Sequence, residues 1–308
     1  MKILNNKKVQ LIGAPISIAS PAIGASLGPD AIRLSGLKES FTRLGIKFDD
    51  IGNLPSLEEP FPPRNFNHGE IRYLDEVYDF MTLLKDKVYS SLVNSFVPVI
   101  LGGDHSLALG SLSASIKYHK ENNKDLGLIW FDAHGDFNTE ETSPSGNIHG
   151  MPLAIATGQG NDKLLSLFEN NFINPKKVVL IGVRSIDPEE GKRLDEYGIN
   201  VITMKDIDEN GMLNSARKAI EIATANNSPL HLSFDVDGLD AHVIPGTGTP
   251  VLGGVTLRES HLLLELIAET GLLASMDLVE VNPLLDYKNQ TANVARTLLE
   301  SALGKVIY

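Results

Sequence analysis

Apolar and polar positions alternate along this chain with two periods, one typical of strands and one typical of helices. Short apolar runs predict strands at 9–12, 46–51, 98–101, 126–131, 178–183, 201–203, 230–234 and 273–279. Apolar residues at helical spacing predict helices at 29–44, 74–92, 107–118, 163–170, 188–197, 213–224, 256–267 and 291–303. Strands separated by helices are typical of a parallel sheet that helices cover on both faces. We therefore predict a three-layer α/β fold with a mostly parallel eight-stranded sheet.

The alternation continues to the last helix without a break in composition, which favours one domain over two. The region 52–70 contains Pro55, Pro60, Pro62 and Pro63, and it predicts an irregular surface segment, the nearest feature to a linker. We expect a single domain that spans residues 1–308.

The amino-acid composition argues against several classes of binding partner and of chemistry. The chain has 308 residues, of which 27 are basic and 39 acidic, and its formal net charge is -12. This charge argues against a nucleic-acid or anionic-membrane surface, which needs a basic patch. The absence of cysteine excludes disulfides, thiolate ligands and thiol nucleophiles. With no signal-peptide-like start and no apolar run of membrane-spanning length, we expect a cytoplasmic enzyme.

Three potential metal ligands follow the predicted strand 126–131. They are Asp132, His134 and Asp136, at alternate positions. In an extended segment alternate side chains point to the same face, so two carboxylates and an imidazole can converge. Each aspartate taken alone fits a helix N-cap or a turn, which is the ordinary role of such residues.

Other ligand-type residues follow other predicted strands. Asp235 and Asp237 come after strand 230–234, His105 follows strand 98–101, and Glu280 follows strand 273–279. Ligands of parallel α/β sheets bind at the carboxyl ends of the strands. We therefore expect these side chains to meet at one edge of the sheet.

The charge of this set predicts its chemistry. Four crowded carboxylates repel one another unless cations neutralise them. Two divalent ions would do so, and a thiolate-free set rich in carboxylates suits Mn²⁺. Two such ions activate a bridging water for hydrolysis, and the centre then carries a net charge of about -1, or about -2 with Glu280. That charge disfavours a phosphate ester and favours a guanidinium-like substrate.

The motifs, taken together, resemble the ureohydrolase family and within it bacterial arginases. The resemblance begins at 12–15 and includes 102–106, 132–136, 145–152, 233–240, 248–250 and 280–283, in the family's order. It implies hydrolysis of L-arginine to L-ornithine and urea by a hydroxide that bridges two Mn²⁺ ions. It also implies association into a homotrimer or homohexamer.

The resemblance assigns roles to individual residues. One Mn²⁺ would be held by His105, Asp132, Asp136 and Asp235, and the other by Asp132, His134, Asp235 and Asp237. Asp136 would orient the hydroxide, His149 would shuttle protons, and Glu280 would anchor the guanidinium group. The substrate's α-carboxylate would be bound by Asn138 and Ser145, and its α-amino group by Asp187. Thr249 is placed in the same site.

Two alternatives stay open. One is hydrolysis of another guanidino compound such as agmatine or guanidinobutyrate, and the other is a catalytically silent metal-binding partner of another enzyme. The sequence also departs from the family pattern at two places. Ala241 stands where a proline is expected after Asp240, and Ala19 stands where a glycine is usual. The first departure predicts a looser loop before Thr249, and the second predicts a changed early loop.

Overall fold

A parallel sheet forms the centre of the molecule. The computed structural model describes residues 8–57, 66, 67 and 69–306. The strands are β1 (Lys8–Ala14), β2 (Phe48–Asn53), β3 (Phe96–Gly102), β4 (Gly127–Phe131), β5 (Val178–Val183), β6 (Asn200–Thr203), β7 (Leu230–Asp235) and β8 (Leu273–Val279). Their order is β2-β1-β3-β8-β7-β4-β5-β6, and every recorded pairing is parallel. The predicted eight-stranded sheet is confirmed, and it is wholly parallel.

Helices cover both faces of this sheet. They are α1 (Gly28–Leu34), α2 (Leu37–Leu44), α3 (Leu74–Val93), α4 (Ala108–Glu121), α5 (Pro152–Ala156), α6 (Asp162–Ser166), α7 (Pro188–Glu196), α8 (Met204–Ala223), α9 (Leu257–Thr270) and α10 (Gln290–Ala302). One core packs α1, α2 and α8 to α10 against alternate strand residues such as Ile129, and the other packs α3 to α7 against their neighbours, such as Trp130. The predicted three layers are therefore present.

Two glycines change the predicted helices. The segment expected as one helix from 29 to 44 divides into α1 and α2, because Gly36 has a left-handed backbone with φ 87°.

Helix α8 begins nine residues before its predicted start, at a capping box of Thr203 and Asp206. Gly211 then interrupts it with φ 76° and ψ 151°. The sequence pattern also missed the short helix α5.

The segment 52–70, predicted to be irregular, lies partly outside the described residues. Its first two residues end β2, and Pro60, Pro62 and Pro63 lie outside the described residues.

Within the described part of the chain, none of the helices is both long enough and apolar enough to cross a membrane.

The sheet order places the motifs together. Strands β3, β8, β7 and β4 are consecutive neighbours in the middle of the sheet. Because they are parallel, their carboxyl ends lie at the same edge, and the residues after each strand meet there. His105, Glu280 and Asp132 follow β3, β8 and β4, and Asp235 is the last residue of β7. Four distant parts of the chain thus contribute to one site.

A buried carboxylate joins α10 to α2. Glu300 is fully buried and accepts hydrogen bonds from Ser40, Arg296 and Lys305. Burial raises the pKa of Glu300, but these partners outweigh burial and the pKa lies below its usual value. The carboxylate therefore stabilises the fold above the usual glutamate pKa, and this contribution is lost as the pH falls through the lowered value.

We predict that Glu300→Gln lowers the free energy of unfolding by about 2 kcal/mol at pH 7, because it removes a charge that two cations share. Urea denaturation measures this difference, which should narrow in acid. The matched control is Glu189→Gln, which breaks an exposed pair with Lys192 and should cost less than about 0.5 kcal/mol. Equal losses in the two variants would contradict the role given to Glu300.

Candidate metal centre

The same turn follows β4 and β7. Asp132 Oδ1 accepts a hydrogen bond from the backbone N–H of His134 at 2.7 Å, and Asp235 Oδ1 accepts one from Asp237 at 2.7 Å. Aspartates commonly form such turns with the backbone two residues ahead. Here the turn uses one oxygen of each carboxylate, so turn formation and metal binding are compatible at these positions.

His105 faces three carboxylates. Its Nδ1 lies 3.0 Å from Asp132 Oδ2, 3.0 Å from Asp136 Oδ2 and 3.2 Å from Asp235 Oδ2, yet this buried nitrogen has no hydrogen-bond partner of suitable geometry. Its other nitrogen, Nε2, lies 2.9 Å from the hydroxyl of Ser233. An imidazole fixed through one nitrogen, with the other aimed at carboxylates, is the usual arrangement of a metal ligand.

A second group shares Asp132. The Nδ1 atom of His134 lies 3.3 Å from Asp132 Oδ1 and 3.2 Å from Asp237 Oδ2. Thr249 Oγ1 donates to the same Asp237 oxygen at 3.0 Å. The sets His105, Asp132, Asp136 and Asp132, His134, Asp237 each have geometry that could hold an ion. These two sets contain five of the six residues predicted as ligands, and the sixth, Asp235, lies 3.2 Å from His105.

The electrostatics of the cluster favour a bound cation. Burial raises the pKa of Asp235 well above its usual value, and the charges of Asp237 and Asp132 raise it further. Burial and Asp132 likewise raise the pKa of Asp136 to about 6. Asp132 differs: burial opposes its charge, but the neighbouring imidazoles of His105 and His134 lower its pKa below the usual value. Divalent ions would remove the repulsion that these shifts reflect, so the residues fit a metal centre.

Glu280 lies beside this cluster, and one of its carboxylate oxygens has no hydrogen-bond partner. Its side chain is 1% exposed, Oε1 accepts from the backbone N–H of His105 at 2.9 Å, and Oε2 has no partner. Its backbone φ is 64°, and that of Asp136 is 48°. Side chains at positive φ are strained, and such strain is concentrated at functional sites. The free oxygen is suited to a cationic donor.

His149 lies beside this glutamate. Its Nδ1 is 3.5 Å from Glu280 Oε1. Burial lowers the pKa of His149, but Glu280 outweighs burial and the pKa lies above its usual value. The backbone N–H of His149 donates to the carbonyl of Ala19, and Asp104 Oδ2 accepts from the N–H of Ala19. The early loop that contains the unusual Ala19 is therefore held against the site.

A cavity of about 190 Å³ leads from the cluster to the surface. It is lined by five of the residues predicted for substrate binding or proton transfer: Asn138, Ser145, His149, Asp187 and Thr249. At its rim Asn138 Nδ2 lies 3.4 Å from Asp187 Oδ2, and the carbonyl of Ser145 accepts from Arg72 Nε at 2.9 Å. These five predicted residues are thus gathered around one opening, whereas Glu280 is not among the residues that line it.

The comparisons with known proteins agree with this geometry. The model of the arginase family matches residues 7–304. The chain belongs to the arginase family. The arginase of Bacillus subtilis strain 168 is 42% identical over 302 residues, which cover 97% of this chain and 99% of that one. The arginase of Staphylococcus aureus strain COL is 43% identical and covers 98% of each chain.

Solved structures of family members share the fold. The arginase structure from Bacillus caldovelox has a TM-score of 0.93 at 40% identity, and it covers 98% of this chain and 100% of its own. The Bacillus subtilis structure has a TM-score of 0.91 at 41% identity, with the same coverage. The resemblance to ureohydrolases and the arginase-like fold predicted from the sequence are confirmed.

The cavity of this arginase-family chain is also lined by residues that were not predicted from the sequence. Asn147, Ser185 and Glu190 line it. Burial raises the pKa of Glu190 to about 7, and its oxygens accept from the backbone N–H groups of Phe137 and Asp187. The available signal was Glu190 three residues after Asp187, which is the spacing of a capping box.

The proposed ligands can be tested by substituting one of them and measuring metal binding. Asp235→Asn should weaken Mn²⁺ binding by about 10-fold or more, because it removes one of the charges that neutralise the ions. The measurement is metal content and calorimetric titration after chelator treatment, with Asp208→Asn on the exposed face of α8 as the control. Mn²⁺ should raise the melting temperature of the wild type and of this control, since it binds the folded state. Full metal content in Asp235→Asn would contradict the assignment.

Proposed function

We propose that this protein is an Mn²⁺-dependent arginase that hydrolyses L-arginine to L-ornithine and urea. The observation that carries the proposal is the shared cluster around Asp132, with the unpaired Oε2 of Glu280 beside it. Family membership and arginase relatives along nearly the whole chain support the same reaction.

The proposed ligand sets are those of the two clusters, with one addition. His105, Asp132, Asp136 and Asp235 would hold one Mn²⁺, and Asp132, His134, Asp235 and Asp237 the other. The distance of 3.2 Å from Asp235 to His105 supports the addition of Asp235. When bound, such a pair lowers the pKa of water toward neutrality and supplies hydroxide as nucleophile. The carboxylate of Asp136 would orient that nucleophile.

The guanidinium group would be bound by Glu280. A buried carboxylate oxygen without a partner is costly, and a cationic N–H donor satisfies it. His149 lies close enough to the same carboxylate to accept and return a proton at its ring during the reaction. An imidazole suits this role because its unperturbed pKa lies near neutrality.

The amino-acid end of the substrate would lie at the rim. The amide of Asn138 and the hydroxyl of Ser145 can donate to an α-carboxylate, and the carboxylate of Asp187 can accept from an α-amino group. Thr249 would complete the wall through its bond to Asp237. Because agmatine lacks the α-carboxylate, donors at Asn138 and Ser145 favour L-arginine over agmatine.

We extend the proposal to the domain organisation, the oligomeric state and the cellular location of the protein. The chain would form a single catalytic domain over 1–308, assembled as a homotrimer or homohexamer in the cytoplasm. Exposed apolar side chains support association: Ile23, Leu27 and Leu284 line one surface depression, and they are 63%, 45% and 63% exposed. Groups of exposed apolar residues mark interaction surfaces.

The substrate assignment is tested by measuring urea release from several guanidino compounds in parallel. Mn²⁺-loaded protein should release urea from L-arginine with a kcat/KM at least about 10-fold above that for agmatine or guanidinobutyrate, because only L-arginine uses both ends of the cavity. Faster urea release from agmatine would replace the proposed substrate with another guanidino compound. Urea release from none of them would favour the silent metal-binding partner.

The role of Glu280 is tested by Glu280→Gln. The amide oxygen can still accept from His105, but the charge that faces the substrate is lost. We expect kcat/KM for L-arginine to fall by about 100-fold, the worth of one buried charge-assisted hydrogen bond. Metal content and melting temperature, measured on the same sample, should stay close to the wild type. Unchanged kcat/KM would exclude Glu280 as the guanidinium anchor.

A further inference from the structure

Arg184 follows β5 and binds the backbone of both metal-ligand loops. Its backbone N–H donates to the carbonyl of Ala133 at 2.9 Å, between Asp132 and His134. Its guanidinium group donates to the carbonyls of Asp237 at 2.8 Å and Gly238 at 3.0 Å, beyond β7. One residue therefore connects the turn after β4 with the turn after β7.

The same guanidinium group also binds the far end of the next loop. It donates to the carbonyls of Leu239 at 3.0 Å, Val251 at 2.7 Å and Leu252 at 3.3 Å. Six carbonyl oxygens, Gly182 included, surround its five N–H groups, so the two N–H groups of Nη2 are shared among three carbonyls, and no partner is a carboxylate. This is the pattern of a cation that fixes backbone, not of one that pairs with an acid.

The loop that Arg184 closes carries a residue of the proposed site. Leu239 and Val255 form an isolated bridge at its base, and Asp240 Oδ2 accepts from the N–H groups of Gly253 and Gly254. Thr249 lies within this loop and donates to Asp237 Oδ2. The loop is therefore held at its base by these contacts, although Ala241 replaces the expected proline.

The backbone at Gly254 is shaped around the guanidinium group. A Cβ atom at Gly254 would lie 2.5 Å from Arg184 Nη2 and 2.6 Å from the carbonyl oxygen of Leu239. Contacts that short force a displacement. A methyl group at this position would therefore disturb the same contacts from the opposite side.

We propose that Arg184 is a positioning residue that holds the Asp237 carboxylate and the Thr249 hydroxyl against His134, and so sets the geometry of one of the two metal sites. It acts through backbone carbonyls and is not among the residues that line the cavity. Arginine suits this role because its planar group presents five donors in a fixed fork, whereas lysine has three on a flexible stem. The inference rests on the proposed metal centre.

The test uses Arg184→Met, Arg184→Lys and Gly254→Ala. The matched control is Arg217→Met on the exposed face of α8. After chelator treatment each protein is titrated with Mn²⁺ by calorimetry. In Arg184→Met we expect one of two binding events to weaken by about 10- to 100-fold, the usual effect of losing an outer partner of a metal ligand. Arg184→Lys should fall between this variant and the wild type, and Gly254→Ala should resemble Arg184→Met.

Hydrogen exchange provides a readout that is independent of metal and activity. Amides within 238–255 should exchange faster in Arg184→Met and Gly254→Ala than in the wild type. Amides within 178–183, which belong to the sheet, should keep their protection. This local change separates positioning of one loop from general loss of structure.

The outcomes separate the inference from the proposed function. A wild type that binds no Mn²⁺ would overturn the proposed function, and this inference with it. A wild type that binds two ions, together with an Arg184→Met variant that binds both with equal affinity, would overturn the inference alone. Equal weakening of both events with faster exchange across the whole sheet would also overturn it, because it indicates a purely structural role.

Discussion

Mutual repulsion among buried carboxylates is the constraint around which this structure is built. Asp132, Asp136, Asp235 and Asp237 lie at one edge of the sheet, each with little or no exposure to water. Such a group is stable only if cations or hydrogen-bond donors balance its charge. Two imidazoles, the turns after β4 and β7, and the indole N–H of Trp130, which donates to Asp132, supply part of that balance. Bound divalent ions would supply the remainder.

The surrounding protein holds these groups in place through layers of polar contacts. His105 stacks on Trp130 with ring centroids 4.1 Å apart, and its Nε2 meets Ser233 on β7. Further along the same strand, buried His231 bonds Ser275 and Asp277 on β8. These buried hydrogen bonds fix the orientation of both imidazole rings. The metal-facing side chains thus rest on an interior that leaves them few alternative positions.

Strain and loop closure complete the site. Asp136 and Glu280 both occupy left-handed backbone conformations, which a non-glycine residue adopts only when its surroundings compel it. Glu280 is held by its backbone bond to Gly103, and the loop beyond β7 is closed around Arg184 and Asp240. The locally unfavourable backbone of Glu280 is therefore held by a long-range contact with the residue that follows β3.

The sequence by itself determined the strands, most helices and the candidate metal ligands. Apolar periodicity is a local property, so it located β8 at its observed residues, 273–279, and the spacing of Asp132, His134 and Asp136 indicated metal binding. Tertiary structure alone decided which strands are neighbours, because that order depends on contacts between distant residues. It also decided that Glu190 enters the cavity, that Oε2 of Glu280 is left without a partner, and that Arg184 binds carbonyls of separate loops. No local pattern encodes these features, since each one depends on atoms that become neighbours only when the chain has folded.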